Sequence, residues 1–295
     1  MRISTVFNLN SGHSNFDFVD IDVTDGDTQL FIDPCLIETN SNDFCIRCTE
    51  TMASYFDRFY HLYRTEAPES ELKELFSHAH EINATKLGYG RGDNGKAKTV
   101  EGMLTTFSGV PGLLRKDIPL SKPNDLHLFI KNFAEDCMSD MLTNILFREL
   151  SRFTLEQCQR YFYPTQHINK KYHYWDKDSS SWQVYNGEAL YVNNKLILLV
   201  PKSIVRHSYY YNVEQYFSSI IAQRKLTSLN TKKQIKEDAI DQYGDILTAA
   251  IYETSDNPDM LNDYHARMPT MYSEKKLTDQ KLDEYVYGER ENGDL

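Results

Sequence analysis

The chain has 295 residues, of which 40% are hydrophobic and 25% charged, and its formal net charge is −11. This balance is typical of a globular protein and excludes a disordered, collagen-like or coiled-coil chain as a whole. The longest apolar run, residues 196–201, is far shorter than the roughly 20 residues of a membrane span. The first residues also lack the apolar core of a secretory signal, so we expect a cytoplasmic protein without membrane contact.

The first predicted elements are two strands. Residues 16–23 alternate apolar and polar side chains, which is the period of a half-buried strand. Asp25 and Gly26 mark a hairpin turn, and residues 28–32 return as a second strand that stops at Pro34. We therefore predict an N-terminal β-hairpin.

Helical periodicity dominates the next part of the chain. It predicts helices over residues 42–64 and 68–81, with Pro68 as a helix-opening residue of the second. Cys45 and Cys48 form a CxxC pair inside the first helix, but no second pair supplies the spacing of a zinc site. We expect reduced helix thiols.

The remaining elements define the fold class. Helices are predicted over residues 99–114, 123–150, 153–162, 211–222 and 231–254, and strands over residues 172–201, with turn signals at Asn186-Gly187 and Asn193-Asn194. This order predicts an α+β fold that is mostly helical, with an N-terminal hairpin and a second short antiparallel sheet around residues 172–201. We expect one domain over residues 1–272, which could divide near residue 165, and an acidic, partly ordered tail over residues 273–295.

A Gly-rich segment, residues 87–98, is the most basic short stretch of this acidic chain. Its spacing is close to that of a phosphate-binding loop, but Ala97 stands where a hydroxyl would hold magnesium. Flexible backbone amides beside Arg91 and Lys96 suit contact with a backbone phosphate of nucleic acid. An ordinary surface loop is the alternative.

The helix around Asp140 has an unusual polar face. Where solvated helix faces usually carry long side chains, this one carries short residues that disfavour helix interiors, namely Asp136, Ser139, Asp140, Thr143 and Asn144. Short polar side chains of this kind are typical of a helix face that is buried and hydrogen-bonded to fixed partners. Asp136 and Asp140 lie one turn apart and could share Mg²⁺ or Mn²⁺. A buried polar network, a solvated face and a metal site all stay open.

Residues 196–201 are apolar throughout, which is typical of a buried strand, and Lys202 emerges at its end. Arg206 and Tyr209 follow closely. Cations interleaved with aromatic rings suit phosphate binding and base stacking, so we predict that both contact nucleic acid. A plain strand-end charge is the alternative for Lys202.

Four segments together resemble an uncharacterised family of bacterial proteins: LFIDP at residues 30–34, LGYG at 87–90, SDMLTNIL at 139–146 and LLVPK at 198–202. The family pattern includes a DRxSDxTxN helix and an LVPK strand, and Cys137 departs from it where the family tends to have arginine. The resemblance implies that Asp136, Asp140, Asn144 and Lys202 form a shared site. It also implies a place among anti-phage defence proteins.

An acid pair with a lysine is the chemical equipment of a metal-dependent nuclease. The carboxylates would hold Mg²⁺ or Mn²⁺, and the lysine would activate water or stabilise charge on the scissile phosphate. Val200 lies two residues before Lys202, so the PD-(D/E)xK spacing is absent and the site would be a rearranged variant. We predict a metal-dependent, nuclease-like component of bacterial anti-phage defence that acts on nucleic acid phosphodiesters.

Two other readings stay open. The first is a non-catalytic adaptor or sensor subunit of a larger defence complex, with a protein partner or a second copy of the chain; an acidic, aromatic-rich chain suits such contacts. The second is a metal-independent RNase, because Arg160 and His167 have the spacing of an arginine–histidine pair for phosphoryl transfer, although Pro164 interrupts it.

Overall fold

The computed structural model describes residues 1–80, 82–89, 99–131, 133–272 and 275–288. Of these described residues, 55% lie in helices and 11% in strands, which form small antiparallel sheets, so the predicted α+β, mostly helical fold is confirmed. None of the helices in these ranges is long and apolar enough to cross a bilayer.

The helices are, in chain order, α1 (Ile3–Val6), α2 (Pro34–Glu38), α3 (Asp43–Arg64), α4 (Glu69–Phe76), α5 (Val100–Thr106), α6 (Val110–Leu114), α7 (Pro123–Phe129), α8 (Glu135–Ile145), α9 (Phe147–Arg160), α10 (Val213–Tyr216), α11 (Ala222–Lys225), α12 (Lys232–Tyr243), α13 (Ile246–Asp256), α14 (Asp259–Tyr272) and α15 (Asp279–Tyr287). A π-helical turn, Phe217–Ile221, joins α10 to α11. The strands are β1 (Phe31–Ile32), β2 (Gln166–His167), β3 (Tyr172–Asp176), β4 (Ser181–Tyr185), β5 (Glu188–Val192), β6 (Lys195–Ile197) and β7 (Val205–Arg206).

The long helix α3 lies at the centre of the fold, where it contacts α2, α4, α6, α8 and α9. The Asn42 side chain caps it by accepting a hydrogen bond of 2.8 Å from the Cys45 backbone N–H. Phe59 packs edge-on against Phe107, with 5.1 Å between the ring centroids. The predicted helix over residues 42–64 is confirmed, and its cysteines are free and buried.

The five strands that directly follow α9, β2 to β6, form two small sheets rather than one. β3 and β4 make a hairpin, whereas β5 pairs with both β2 and β6. Asn193 and Asn194, both at positive φ, make the predicted turn between β5 and β6. Asn186-Gly187 instead connects the two sheets, because β4 and β5 do not pair with each other.

The predicted N-terminal hairpin does not form. β1 pairs with β7, and Phe18 makes an isolated bridge to Pro201. Both faces of the segment are buried, since Val19 and Asp20 are enclosed as neighbours in sequence. Its backbone instead pairs with other parts of the chain: the Val19 N–H donates to the Val200 carbonyl, and the Ile21 carbonyl accepts the Ile3 N–H.

The predicted acidic tail contains a helix, α15. The Thr278 side chain caps it, and Leu282 and Val286, one turn apart, are buried. The helix packs against the 3-10 turn His13–Asn15. The Arg2 guanidinium donates a hydrogen bond to the Val286 carbonyl. These contacts dock the helix on the first twenty residues of the chain.

Candidate functional site

The polar stripe of α8 is largely enclosed, as one of the sequence alternatives predicted. Ser139, Thr143 and Asn144 are all buried. The Ser139 hydroxyl accepts a hydrogen bond of 3.0 Å from the Ile32 backbone N–H in β1. The Asn144 amide donates to the His80 carbonyl at 2.6 Å and to the Asp140 carbonyl at 3.2 Å. Asn144 therefore holds α8 against the chain around residue 80.

The two predicted metal ligands, Asp136 and Asp140, lie on the partly exposed side of α8. Asp136 lies directly against Gly88: a Cβ added there would come within 2.7 Å of the carboxylate Oδ1. Gly88 also has a φ of +142°. The lack of space beside the Asp136 carboxylate and the backbone conformation therefore both require glycine at this position. Within the described ranges, no group of three or more histidine, cysteine or acidic side chains could hold a metal ion.

Lys202 lies in a different environment. Its ammonium forms an ion pair of 2.7 Å with Asp279 of α15 and donates to the His13 carbonyl. The structure therefore brings Asp136, Asp140 and Asn144 together on α8, whereas Lys202 is engaged by the N-terminal segment and α15.

The predicted nucleic-acid contacts Arg206 and Tyr209 are both 2% exposed. The Arg206 Nε donates to Asp33 at 2.6 Å, and the Tyr209 hydroxyl donates to the Ile32 carbonyl. Neither side chain is open to a nucleic acid in this conformation. The other two predicted contacts, Arg91 and Lys96, lie outside the described residues.

A polar network around His13 was not found from the sequence. The His13 ring is fully buried; its Nδ1 contacts Asp283 at 2.6 Å, and its Nε2 accepts a hydrogen bond from the Asp20 N–H. The Asp20 carboxylate accepts hydrogen bonds from Ser4 and from the Tyr287 hydroxyl, the latter at 2.8 Å. Burial lowers the pKa of His13, which agrees with a neutral ring that donates from Nδ1.

A cleft of about 670 Å³ lies between the first turn of α3, the last turns of α9 and residues 201–203. Lys202 and Arg160 both line it, and Arg160 pairs with Asp17 at 2.5 Å. His167, the proposed partner of Arg160 in an RNase, is exposed and lies 3.8 Å from Glu188. The cleft is thus lined by Lys202 from the nuclease hypothesis and by Arg160 from the RNase hypothesis, but neither predicted site is complete there.

The family model described as Domain of unknown function (DUF8370) matches residues 8–212. The chain belongs to this family. No curated protein and no solved structure matches the chain. The prediction of an uncharacterised family is thereby confirmed, and all four segments on which the resemblance rested lie in the DUF8370 region. That region also holds α8, Lys202 and the cleft, whereas α15 lies beyond it.

Proposed function

We propose that this DUF8370 protein is a non-catalytic adaptor or sensor subunit of a larger protein complex. The observation that supports this function is the engagement of predicted catalytic and nucleic-acid-binding groups in contacts within the fold. Lys202 is paired with Asp279, Asn144 with two carbonyls, and Arg206 with Asp33. Groups that act on a substrate need donors and charges directed at it, whereas these groups hold the fold together.

The setting that fits this proposal is bacterial anti-phage defence, which the sequence resemblance implies. The partner is a protein subunit or a second copy of the chain. In this proposal, any nucleic acid is bound by another subunit of the complex and not by this chain. The reason is charge, because a chain with a net charge of −11 repels the phosphate backbone.

A metal-dependent nuclease is the second candidate, and one observation favours it. Asp136 lies against Gly88, which leads directly into the Gly-rich segment carrying Arg91 and Lys96. Asp136 therefore lies beside Gly88 at the described start of the predicted phosphate-binding segment, whereas Arg91 and Lys96 lie outside the described residues. In this candidate, Asp136 and Asp140 would hold Mg²⁺ or Mn²⁺, and the segment would supply the cation that Lys202 does not.

A cleavage assay separates the two candidates. The full chain is incubated with plasmid DNA and with single-stranded RNA, in magnesium, in manganese and in EDTA. Asp140→Asn is compared with Asp241→Asn, an exposed aspartate of α12, and circular dichroism checks that both variants fold. We expect no cleavage by the wild type in any condition.

Metal-dependent cleavage that Asp140→Asn loses and Asp241→Asn keeps would overturn the adaptor proposal in favour of the nuclease. Cleavage that persists in EDTA would instead favour the metal-independent RNase, and Arg160→Gln would then abolish it. For the adaptor, sedimentation velocity of the isolated chain tests the second-copy partner: a concentration-dependent dimer is the expected signature of self-assembly.

A further inference from the structure

We infer that the exposed edge of strand β4 pairs with the same edge of a second copy of the chain, so that two hairpins join into one four-stranded antiparallel sheet. The inference rests on the proposed adaptor function and names the surface through which a second copy binds. β4 is the outer strand of the β3–β4 hairpin, and in the described part of the chain it pairs with β3 alone. Its other edge therefore offers backbone N–H and C=O groups to a further strand.

The hairpin is anchored on the helices, which holds this edge in a fixed position. β3 packs against α3, α8 and α9. The Trp175 ring of β3 is buried, and its Nε1 donates to the Ser54 hydroxyl at 3.1 Å. On β4, the Trp182 Nε1 donates to the Leu75 carbonyl at 2.8 Å. A hairpin alone is at best marginally stable in water, but this one is already ordered, so little conformational entropy is lost when its edge pairs.

β4 lacks the features by which proteins usually protect such an edge. Exposed edge strands commonly carry a charged residue, a proline or a bulge, or they are very short. The five residues of β4, Ser181–Tyr185, include no charge and no proline, and tryptophan, valine and tyrosine among them favour strands. Gln183 is exposed, and Val184 is 51% exposed. By comparison, the edge strands β2 and β6 have only two and three residues, and β6 begins with Lys195.

The two ends of β4 carry opposite charges. The turn before the strand holds Asp178, and the far end of the strand lies near Lys170 and Lys171, because Tyr172 pairs with Tyr185. All three charged side chains are exposed, and none of them forms an ion pair among the described residues. They are therefore available to a neighbouring molecule.

A second copy in antiparallel orientation complements both the edge and its charges. Twofold symmetry places the central Gln183 opposite itself and Trp182 opposite Val184 of the second copy, as in an ordinary cross-strand pair. It also brings the Asp178 end of each copy towards the Lys171 end of the other, so that the charges attract. Parallel pairing would instead set like charges side by side. A strand from a different protein is the competing occupant, and it would leave the isolated chain monomeric.

Sedimentation velocity of the full chain over a range of concentrations tests the pairing. Because the paired surface is small, we expect a dimer with a dissociation constant on the order of 10–100 µM. Val184→Lys places a charge on the edge and should weaken the dimer at least about tenfold. Ile240→Lys, at an exposed apolar position of α12, is the control and should dimerise like the wild type. Circular dichroism checks that both variants fold.

A cysteine at the centre of β4 tests the symmetry of the pairing. Residues directly opposite each other in antiparallel strands have Cα atoms about 4.5–5.5 Å apart, within reach of a disulfide. Gln183→Cys should therefore form a covalent dimer on mild oxidation, visible on a non-reducing gel. Gln242→Cys, at an exposed position of α12, should stay monomeric.

The charges at the ends of β4 test the orientation. Asp178→Lys should weaken the dimer about threefold, because it sets three cations against one another in place of an attraction. Adding Lys170→Glu and Lys171→Glu to this variant should restore the affinity of the wild type. An unchanged affinity in Asp178→Lys, or a further loss in the triple variant, would contradict the antiparallel arrangement.

Two results overturn the inference as a whole. A chain that stays monomeric at every concentration would assign the partner of the adaptor to a different protein. A dimer that persists in Val184→Lys, together with no covalent dimer of Gln183→Cys, would place self-assembly on another surface. Neither result affects the cleavage assay, which alone decides between the adaptor and the nuclease, so the two conclusions fail separately.

Discussion

The ion pair between Arg206 and Asp33 joins β7 to the start of α2, and both side chains are 3% exposed. The Nε–Oδ2 distance is 2.6 Å, and Asp33 Oδ1 also accepts the Cys35 backbone N–H at 2.8 Å. Arg206 donates to the Lys275 carbonyl and lies over the Tyr210 ring, with 4.7 Å between its Cζ and the ring centroid. This pair therefore connects three segments that are distant in sequence.

Arg206→Met removes the cation but keeps most of the buried volume, and so leaves the Asp33 carboxylate without its counter-charge. Breaking a buried pair from one side costs about 3–5 kcal/mol. That is a large fraction of the roughly 5–15 kcal/mol that stabilises a typical domain. The matched control is Arg58→Gln, which breaks a surface pair of 2.7 Å with Glu71. Exposed pairs contribute about 0–1 kcal/mol.

The measurement is urea unfolding followed by circular dichroism at pH 7. Burial raises the pKa of Asp33, so the folded state favours its protonated form and the penalty of the lone carboxylate grows as the pH rises. Arg206→Met should therefore lose less stability at pH 5 than at pH 7, and adding Asp33→Asn should recover part of the loss. If Arg206→Met lowers the free energy of unfolding no more than Arg58→Gln does, the buried pair does not hold Arg206 in place. The predicted contact of Arg206 with nucleic acid would then have to be tested again.

Two further predictions concern titratable groups. Because burial lowers the pKa of His13 below its usual 6.5, the stability that its neutral form contributes is present above about pH 6.5 and is lost as the pH falls through the folded pKa. The protection of the α15 amides against hydrogen exchange, relative to the intrinsic rate at each pH, should fall from pH 7 to pH 5, whereas His13→Asn should flatten this change; an equal fall in both would contradict the role of His13. Burial also raises the pKa of Cys137 to about 11 and the pKa values of the other four thiols, so native protein should react with iodoacetamide at pH 8 far more slowly than protein in urea. Rapid native labelling of Cys45 and Cys48 would show that the start of α3 opens easily.

Local signals predicted the local structure well. The cap at Asn42 and the helical period located α3 almost to the residue, because both signals act within one or two turns. The short polar residues of α8 indicated an enclosed stripe, and Ser139, Thr143 and Asn144 are indeed buried. In each case the information lies in neighbouring residues, which sequence patterns can report.

Contacts between distant segments could not be predicted in this way. In the sequence, Lys202 and Arg206 look like exposed cations at the end of a strand. Their ion pairs are with Asp279, 77 residues from Lys202, and with Asp33, 173 residues from Arg206, and no local pattern reports these partners. The tail composition suggested weak order, although the i, i+4 spacing of Leu282 and Val286 after the Thr278 cap was a readable helix signal. No local pattern indicates that His13 meets Asp283, because they are 270 residues apart.

The docking of α15 on the start of the chain has a consequence for synthesis. The hydrogen bonds that join Arg2 to Val286 and Asp20 to Tyr287 span 284 and 267 residues. At about 5–20 residues per second, a nascent chain waits on the order of 10–60 s before these bonds can form. During that time the groups that later surround His13 remain hydrated and the apolar residues beside them lack their cover. The contacts around His13 can therefore form only after Asp279–Tyr287 has been synthesised, and the N-terminal segment lacks this cover until then.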